Sequence, residues 1–546
     1  MAYYTLAFGV VFLPVAIILY QIFPKKFRWC ALLLMSLAYY FTYSSVGVRI
    51  FLYPITAAAV CFIIGHFLEK LDKKKASLTD LVRTEDDNVK ARPKDEIRKE
   101  KSEIRDSYLK KSRAVLAIGI LLLVAMLLYL KYTNFFIENI NHIFEAAGSE
   151  KHFALKHLLL PLGISFYTMQ AIGYMVDVYW KKVAAEKNPL KLLLFITFFP
   201  TIVEGPIASY NDIHEDLFIG SSIDPENIIQ GYIRIIWGAV KKLVIADRLY
   251  PAVNLLFDSS TTLRGFEVIA AAVLFTVMEY MDFSGSIDMV LGCGRIFGIG
   301  LPENFRQPFF ARNASEFWRR WHISLGVWFK TYIFYPVSIG SLAKKWNKFA
   351  KGRFSKHPTK MVVSAMALLP VWLCNGLWHG PKWTYIFYGI FYFFIILIEL
   401  IFEPLGDKLL DKLKLTRKSK GVEVIRILRT WIVIFIGELF FRANSLKDGF
   451  IMFGNIFKSF NPSIVWNGSA LSWGIDLADW VVVFVMLIIV LIVGIIRERG
   501  VEITAALLEK PMILRWGLTL GLIMILLVFG LYGPGFQEVD LIYAGF

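Results

Sequence analysis

Apolar runs long enough to cross about 30 Å of hydrocarbon recur from end to end of this 546-residue chain and constrain its fold more than any other feature. It is 56% hydrophobic, with a mean hydropathy of +0.54 that a soluble protein with 19% charged residues rarely shows. These values point to an all-α polytopic protein of the lipid bilayer. With no segment large and polar enough for a separate soluble unit, residues 1–546 read as one membrane-embedded domain. The formal net charge of +16 lies mainly in short loops between apolar runs, where cytoplasmic-side bias accounts for it without nucleic acid. Cys30, Cys61, Cys293 and Cys374 are scattered without a CxxC pair and read as small core hydrophobes, so neither a disulfide framework nor a metal site is expected.

The run from Tyr3 to Phe23 lacks a basic leader and a small-residue cleavage site, so it reads as a retained first span. Spans near Phe27 to Tyr43 and Val46 to Leu68 follow. Residues 69–113 mix Lys, Arg, Asp and Glu densely and read as a solvated cytoplasmic loop, partly helical at most. Placing that loop inside also puts Lys25, Lys26, Arg28, Lys181 and Lys182 inside and the N-terminus outside. Beyond Leu190 the spans become irregular. Pro200 and Glu204-Gly-Pro206 would break a helix, and broken backbone at membrane depth is tolerated only under protein or water, so a re-entrant or kinked segment is expected there. With the later apolar helices the count comes to about eleven spans, and no internal repeat of transporter type is visible.

Three stretches place ionisable groups in apolar surroundings, at an insertion cost of about 2.5 to 3.5 kcal/mol each. In Met281-Asp-Phe-Ser-Gly-Ser-Ile-Asp288, Asp282 and Asp288 lie roughly 120° apart around a helix, too far for a tight carboxylate pair. Either they pair with an arginine such as Arg295, Arg319 or Arg320, or they act in catalysis. In the second stretch, Asn313 and Glu316 form a capping-box pattern that opens a helix. Phe317, Trp321, Leu325 and Trp328 then make an apolar stripe suited to an interfacial helix, with Arg319 and Arg320 pointing elsewhere and His322 on its margin. His322 reads equally as a packing residue or a functional one. In Asn375-Gly-Leu-Trp-His-Gly-Pro381, Asn375 and His379 share a face, and Gly380-Pro381 ends the helix directly after the imidazole. The negative end of the helix dipole stabilises a cation there by some tenths of a kcal/mol, up to about 2 when partly buried. His379 is therefore suited to accept a proton.

Taken in order, Lys131-Tyr-Thr-Asn-Phe-Phe136, Leu160-Pro-Leu-Gly-Ile-Ser-Phe-Tyr167, Phe199-Pro-Thr-Ile-Val-Glu-Gly-Pro206 and Lys241-Lys-Leu-Val-Ile-Ala-Asp-Arg248 resemble the membrane-bound O-acyltransferases, within them the alginate O-acetyltransferase branch. Asp282 to Asp288, Asn304-Phe-Arg-Gln-Pro-Phe309, Trp318 to Leu325, Gly376-Leu-Trp-His-Gly380 and Leu439-Phe-Phe-Arg-Ala443 continue the resemblance. It implies a ring of helices around a thinned central tunnel, with a cytoplasmic funnel for the acyl donor and an outer opening for the acceptor. His379 would fill the family's near-invariant histidine and His322 its second polar position. Glu204, Glu279 and Ser286 depart from the family's pattern, which bears on the acceptor and leaves the class intact.

The resulting expectation is an O-acyltransferase of a bacterial plasma membrane that moves an acetyl group from a cytoplasmic thioester for O-acetylation of an exported polysaccharide. The donor substrate would be acetyl-CoA or an acyl-carrier phosphopantetheine, with no bound cofactor. The resemblance also implies an extracytoplasmic acetyltransferase or hydrolase-like partner protein. His379 is the expected base, with His322 or Asn375 holding the oxyanion. Trp378, Asp282, Ser284 and Asp288 would support the site, and Arg319, Arg320 and Trp321 would serve the donor. D-alanyl transfer to teichoic acid is the first alternative, and a polysaccharide or lipid transporter the second.

Overall fold

The computed structural model describes residues 2–42, 47–84, 93–459, 461–533, 536 and 539, and every regular element among them is a helix. The chain divides into two compact units.

The first unit comprises residues 14–203 and 207–222. Its main helices are α1 (Arg28–Thr42), α2 (Leu52–Thr84), α3 (Lys94–Leu127), α4 (Ile164–Tyr179) and α5 (Pro189–Thr197). Pro189 takes the first position of α5, where no N–H is needed, and Asn188 Oδ1 accepts from the Leu190 N–H at 3.0 Å. The helix stops at Thr197, and Phe198, Phe199, Ile202 and Val203 continue as buried irregular backbone, the interruption that Pro200 leads one to expect. Ser36 Oγ of α1 accepts the Phe199 N–H at 3.1 Å, so at least this broken stretch of main chain is satisfied internally.

The charged stretch 69–113 corrects the sequence reading. Residues 69–84 prolong α2 and residues 94–113 form the opening turns of α3, while residues 85–92 lie outside the described residues. The charges recur at helical spacing: Lys73 pairs with Glu69 and Lys75 with Asp72 on one face of α2. Such pairs add about 0.2–0.5 kcal/mol each to a helix, a pattern that a search for apolar periodicity alone passes over.

The second unit holds residues 2–13, 204–206 and 223–546. It is built on α6 (Pro225–Val240), α7 (Phe266–Ile296), α8 (Ala314–Trp318), α9 (Ile323–Phe329), α10 (Lys356–His379), α11 (Trp383–Lys412), α12 (Lys420–Arg442), α13 (Leu477–Glu498) and α14 (Met512–Phe529). Two helix pairs fix its candidate site, and both rest on close backbone approach. A Cβ on Gly285 of α7 would stand 2.7 Å from the Gly238 carbonyl of α6, and a Cβ on Gly238 2.4 Å from that of Gly285. Likewise a Cβ on Gly376 of α10 would meet the Tyr385 carbonyl of α11 at 2.4 Å. Small residues let helix backbones touch where lipid leaves little hydrophobic drive for association.

Six helical stretches among the described residues are long and apolar enough to cross a membrane: Gly47–Val82, Lys94–Ala146, Lys356–His379, Trp383–Lys412, Leu477–Glu498 and Met512–Phe529. This supports a polytopic helical membrane protein. The other segments counted as spans from the sequence are shorter, as α1 and α4 are, or carry several ionisable residues, as α7 and α12 do.

Candidate active site

His379 is the last residue of α10, and its ring is buried among aromatic rings. Phe441 lies 5.0 Å away centroid to centroid, Trp378 5.0 Å, Tyr388 5.8 Å and Tyr385 6.1 Å. Gly380 (φ 152°) breaks the helix at once, so the imidazole stands at the negative end of a 24-residue dipole. Asn375 is buried one turn earlier, and its Oδ1 accepts no hydrogen bond from the described residues.

His322 joins the same aromatic cluster through Trp378, whose ring packs against both histidines. Its ring packs edge-on to Trp378 at 5.2 Å and to Phe283 of α7 at 4.8 Å. The continuous interfacial helix expected through this stretch does not form. Asn313 Oδ1 does cap the Glu316 N–H at 2.7 Å, but α8 stops at Trp318, and His322 adopts a left-handed conformation (φ 45°, ψ 52°) before α9 begins. The cause is tertiary. Asn304 accepts the Ile323 N–H through its carbonyl at 3.0 Å and the Ser324 N–H through Oδ1 at 2.9 Å, while the Arg306 N–H bonds the Arg320 carbonyl at 2.9 Å. A left-handed non-glycine residue costs about 1–3 kcal/mol and persists only where its surroundings over-determine it, most often at functional sites.

The two aspartates find partners other than those the sequence suggested. Asp288 accepts from Arg234 Nε at 3.0 Å and Lys241 Nζ at 2.6 Å, and Lys241 also donates to Ser284 Oγ at 2.9 Å. Asp282 pairs with the fully buried Lys242, which also holds Asp247 at 2.8 Å. The cations come from the end of α6 and the following π-helical turn Lys241–Ala246, brought against α7 by the glycine contact. Arg295 instead bonds Asn227, and Arg320 is held by Glu316 and Glu498 at 2.9 and 2.7 Å. Burial alone would raise the Glu316 carboxyl, but the Arg312 N–H and the Arg320 guanidinium hold it below the usual carboxylate range. Arg319 is exposed, and Trp321 is packed between Phe317 and Phe305 at 5.4 and 5.1 Å. Thus His379, His322, Asn375 and Trp378 gather at one place, while Asp282, Ser284 and Asp288 sit in a neighbouring buried charge network on α7.

Sequence reasoning gave no site role to two buried glutamates, of which it had noted Glu279 only as a departure from the family's pattern. Glu279 lies on α7 and Glu438 on α12, where it accepts from Tyr388 Oη at 2.8 Å. The available signal was an acidic residue inside an apolar helix, Ile436-Gly-Glu-Leu-Phe440. Glu204, noted from the sequence as a departure, lies in a turn and accepts a 2.6 Å bond from Ser286 Oγ. Among the described residues no group of three or more His, Cys, Asp or Glu is arranged to hold a metal.

Residues 183–351 match the MBOAT, membrane-bound O-acyltransferase family, and the match takes in Lys241, Asp282, Asp288 and His322. Over those residues the chain carries a membrane-bound O-acyltransferase family domain. Its relatives include a probable alginate O-acetylase of Azotobacter vinelandii, 31% identical over 63% of this chain and 62% of that protein. A peptidoglycan O-acetyltransferase of Helicobacter pylori is 29% identical over 62% of this chain and 63% of its own length. A teichoic acid D-alanyltransferase of Bacillus subtilis is 29% identical over 47% and 64%. The chain therefore spans less than two thirds of each of these relatives. In the first unit two further motifs of the membrane-bound O-acyltransferase resemblance meet, with buried Lys131 donating to Ser165 Oγ at 3.0 Å.

Proposed function

We propose that this chain is an O-acyltransferase that takes an acetyl group from a cytoplasmic thioester and delivers it to a hydroxyl at or beyond the outer membrane face, for O-acetylation of an exported polysaccharide. The observation that carries the reading is His379, closing α10 in a buried aromatic pocket with Asn375 one turn away and His322 across Trp378. In the proposed step a ring nitrogen of His379 takes the acceptor's hydroxyl proton as the new C–O bond forms at the acyl carbon. The C–S bond then breaks, and the imidazolium returns that proton to the departing thiolate. Asn375 or His322 holds the oxyanion in between. The enclosing aromatic rings exclude water, which strengthens each of these interactions.

Arg319 is the better placed of the two arginines to meet an anionic donor, because it is exposed while Arg320 already satisfies two carboxylates. The immediate acceptor in this proposal is a partner protein's hydroxyl, with the N-terminus outside and the donor entering from the cytoplasm.

Acetyl is preferred over D-alanyl because the two acetyl-transferring relatives align with more of this chain, 63% and 62% against 47%. Native membranes carrying the chain provide the test. Given labelled acetyl-CoA in one sample and a labelled D-alanyl carrier thioester in another, they are expected to label outer-face polymer only from the acetyl donor. Label from the D-alanyl donor, with none from acetyl, overturns the acetyl assignment.

A further inference from the structure

Glu279 on α7 and Glu438 on α12 lie far apart in sequence and meet in the interior, each at most 2% exposed. Their carboxyls are close enough to interact directly, and Glu438 accepts a bond from Tyr388 Oη at 2.8 Å. Two carboxylates are acceptors only and repel one another, whereas a carboxylate and a carboxylic acid can share a hydrogen bond. Like acids forced together away from water favour keeping one proton between them and carrying at most one negative charge. Tyr388 then reaches the histidine. Its ring meets that of His379 edge-on at 5.8 Å, and Phe441, three residues after Glu438, covers both rings at 5.0 Å.

Other charged and titratable groups at this end of α10 come from several elements. Tyr385 and Tyr388 lie on α11, and Lys382 precedes it with its ammonium 5.7 Å from the Tyr385 ring. Arg442 ends α12 and interacts electrostatically with both Lys382 and Tyr385. His322 stands across Trp378. Two fixed cations near an imidazole oppose a third positive charge on it. A buried anion one tyrosine ring away opposes them.

We infer that Glu279 and Glu438 are positioning residues, a singly protonated carboxyl pair whose one negative charge stabilises the imidazolium that His379 forms during acyl transfer. This rests on the acyltransferase reading above. The pair's own proton stays between the two carboxyls throughout; only the acceptor's proton moves, to His379 and then to the thiolate.

The signature is non-additivity. Either single change, Glu279→Gln or Glu438→Gln, leaves one carboxylate hydrogen-bonded to an amide, with the same shape and the same charge of minus one. The double variant Glu279→Gln/Glu438→Gln keeps the shape and loses the charge. Each single variant should lose less than about threefold in kcat. The double should lose about tenfold or more, the size of one pKa unit of electrostatic stabilisation. Its KM for the acetyl thioester should stay within about twofold, because the lost interaction forms only with the imidazolium. Singles as damaging as the double, or a double with wild-type kcat, would overturn the inference. A second readout needs neither the double variant nor turnover. The infrared C=O stretch of a protonated carboxyl should appear at neutral pH in the difference spectrum of wild type minus Glu438→Gln, and likewise for Glu279→Gln; its absence from either overturns the pair while leaving the acyltransferase reading untouched.

Discussion

Replacing His379 with alanine is expected to lower kcat by about 10²- to 10⁴-fold, the usual contribution of a positioned general base, while the protein still inserts and extracts in folded form. The imidazole stands at the end of its helix, so truncation leaves the Gly376 contact that seats α10 on α11 intact. His322→Gln keeps a hydrogen-bonding group in a position fixed by the Asn304 clasp and should retain measurable turnover. Kinetics on both purified variants separate the roles. Near-normal kcat in His379→Ala with none in His322→Gln would exchange them.

The second large effect is on stability and lies outside the histidine cluster. Lys242 is fully buried and holds Asp247 and Asp282, so Lys242→Met leaves two carboxylates in the interior without their cation. Removing one partner from a buried ionic group costs about 3–5 kcal/mol. Arg417→Gln, which removes a more exposed cation from Glu403 and Asp407, should cost about 1 kcal/mol or less. Thermal unfolding of the detergent-solubilised proteins compares the two. Adding Asp247→Asn and Asp282→Asn to Lys242→Met should recover part of the loss. A Lys242→Met protein as stable as Arg417→Gln would mean that the triad is not the ionic core described here.

The contrast between these two residues shows what the sequence could convey. His379 was legible because its signal is local: a helix end, an asparagine one turn back, and Gly-Pro directly after it. The ionic partners of Asp282 and Asp288 were not, because Arg295 bonds Asn227, Arg319 is exposed and Arg320 is held by two other carboxylates, while the true cations arrive on α6 and the π-helical turn after it through the approach of Gly238 to Gly285. A helical pattern records which residues share a face. It does not record which helix will cover that face.

His322 carries the same lesson in its backbone. The stripe of Phe317, Trp321, Leu325 and Trp328 fits a continuous helix, and its first three residues are buried while Trp328 is half-buried. The helix nevertheless breaks between them, because Asn304 bonds the main chain just past His322 and turns its ring onto Phe283 and Trp378. Glu279 and Glu438 were the hardest to read: each alone is an acid in an apolar helix, and only the packing of α7 against α12 makes them a pair.

Sealed membrane vesicles test the central claim most directly. With labelled acetyl-CoA supplied to the cytoplasmic face of inside-out vesicles, wild-type protein should deposit label on acceptor in the lumen. Right-side-out vesicles given the same donor outside should deposit none, and His379→Ala vesicles of either orientation should stay at background. Equal labelling by His379→Ala, or labelling only when donor is given at the outer face, would contradict the account.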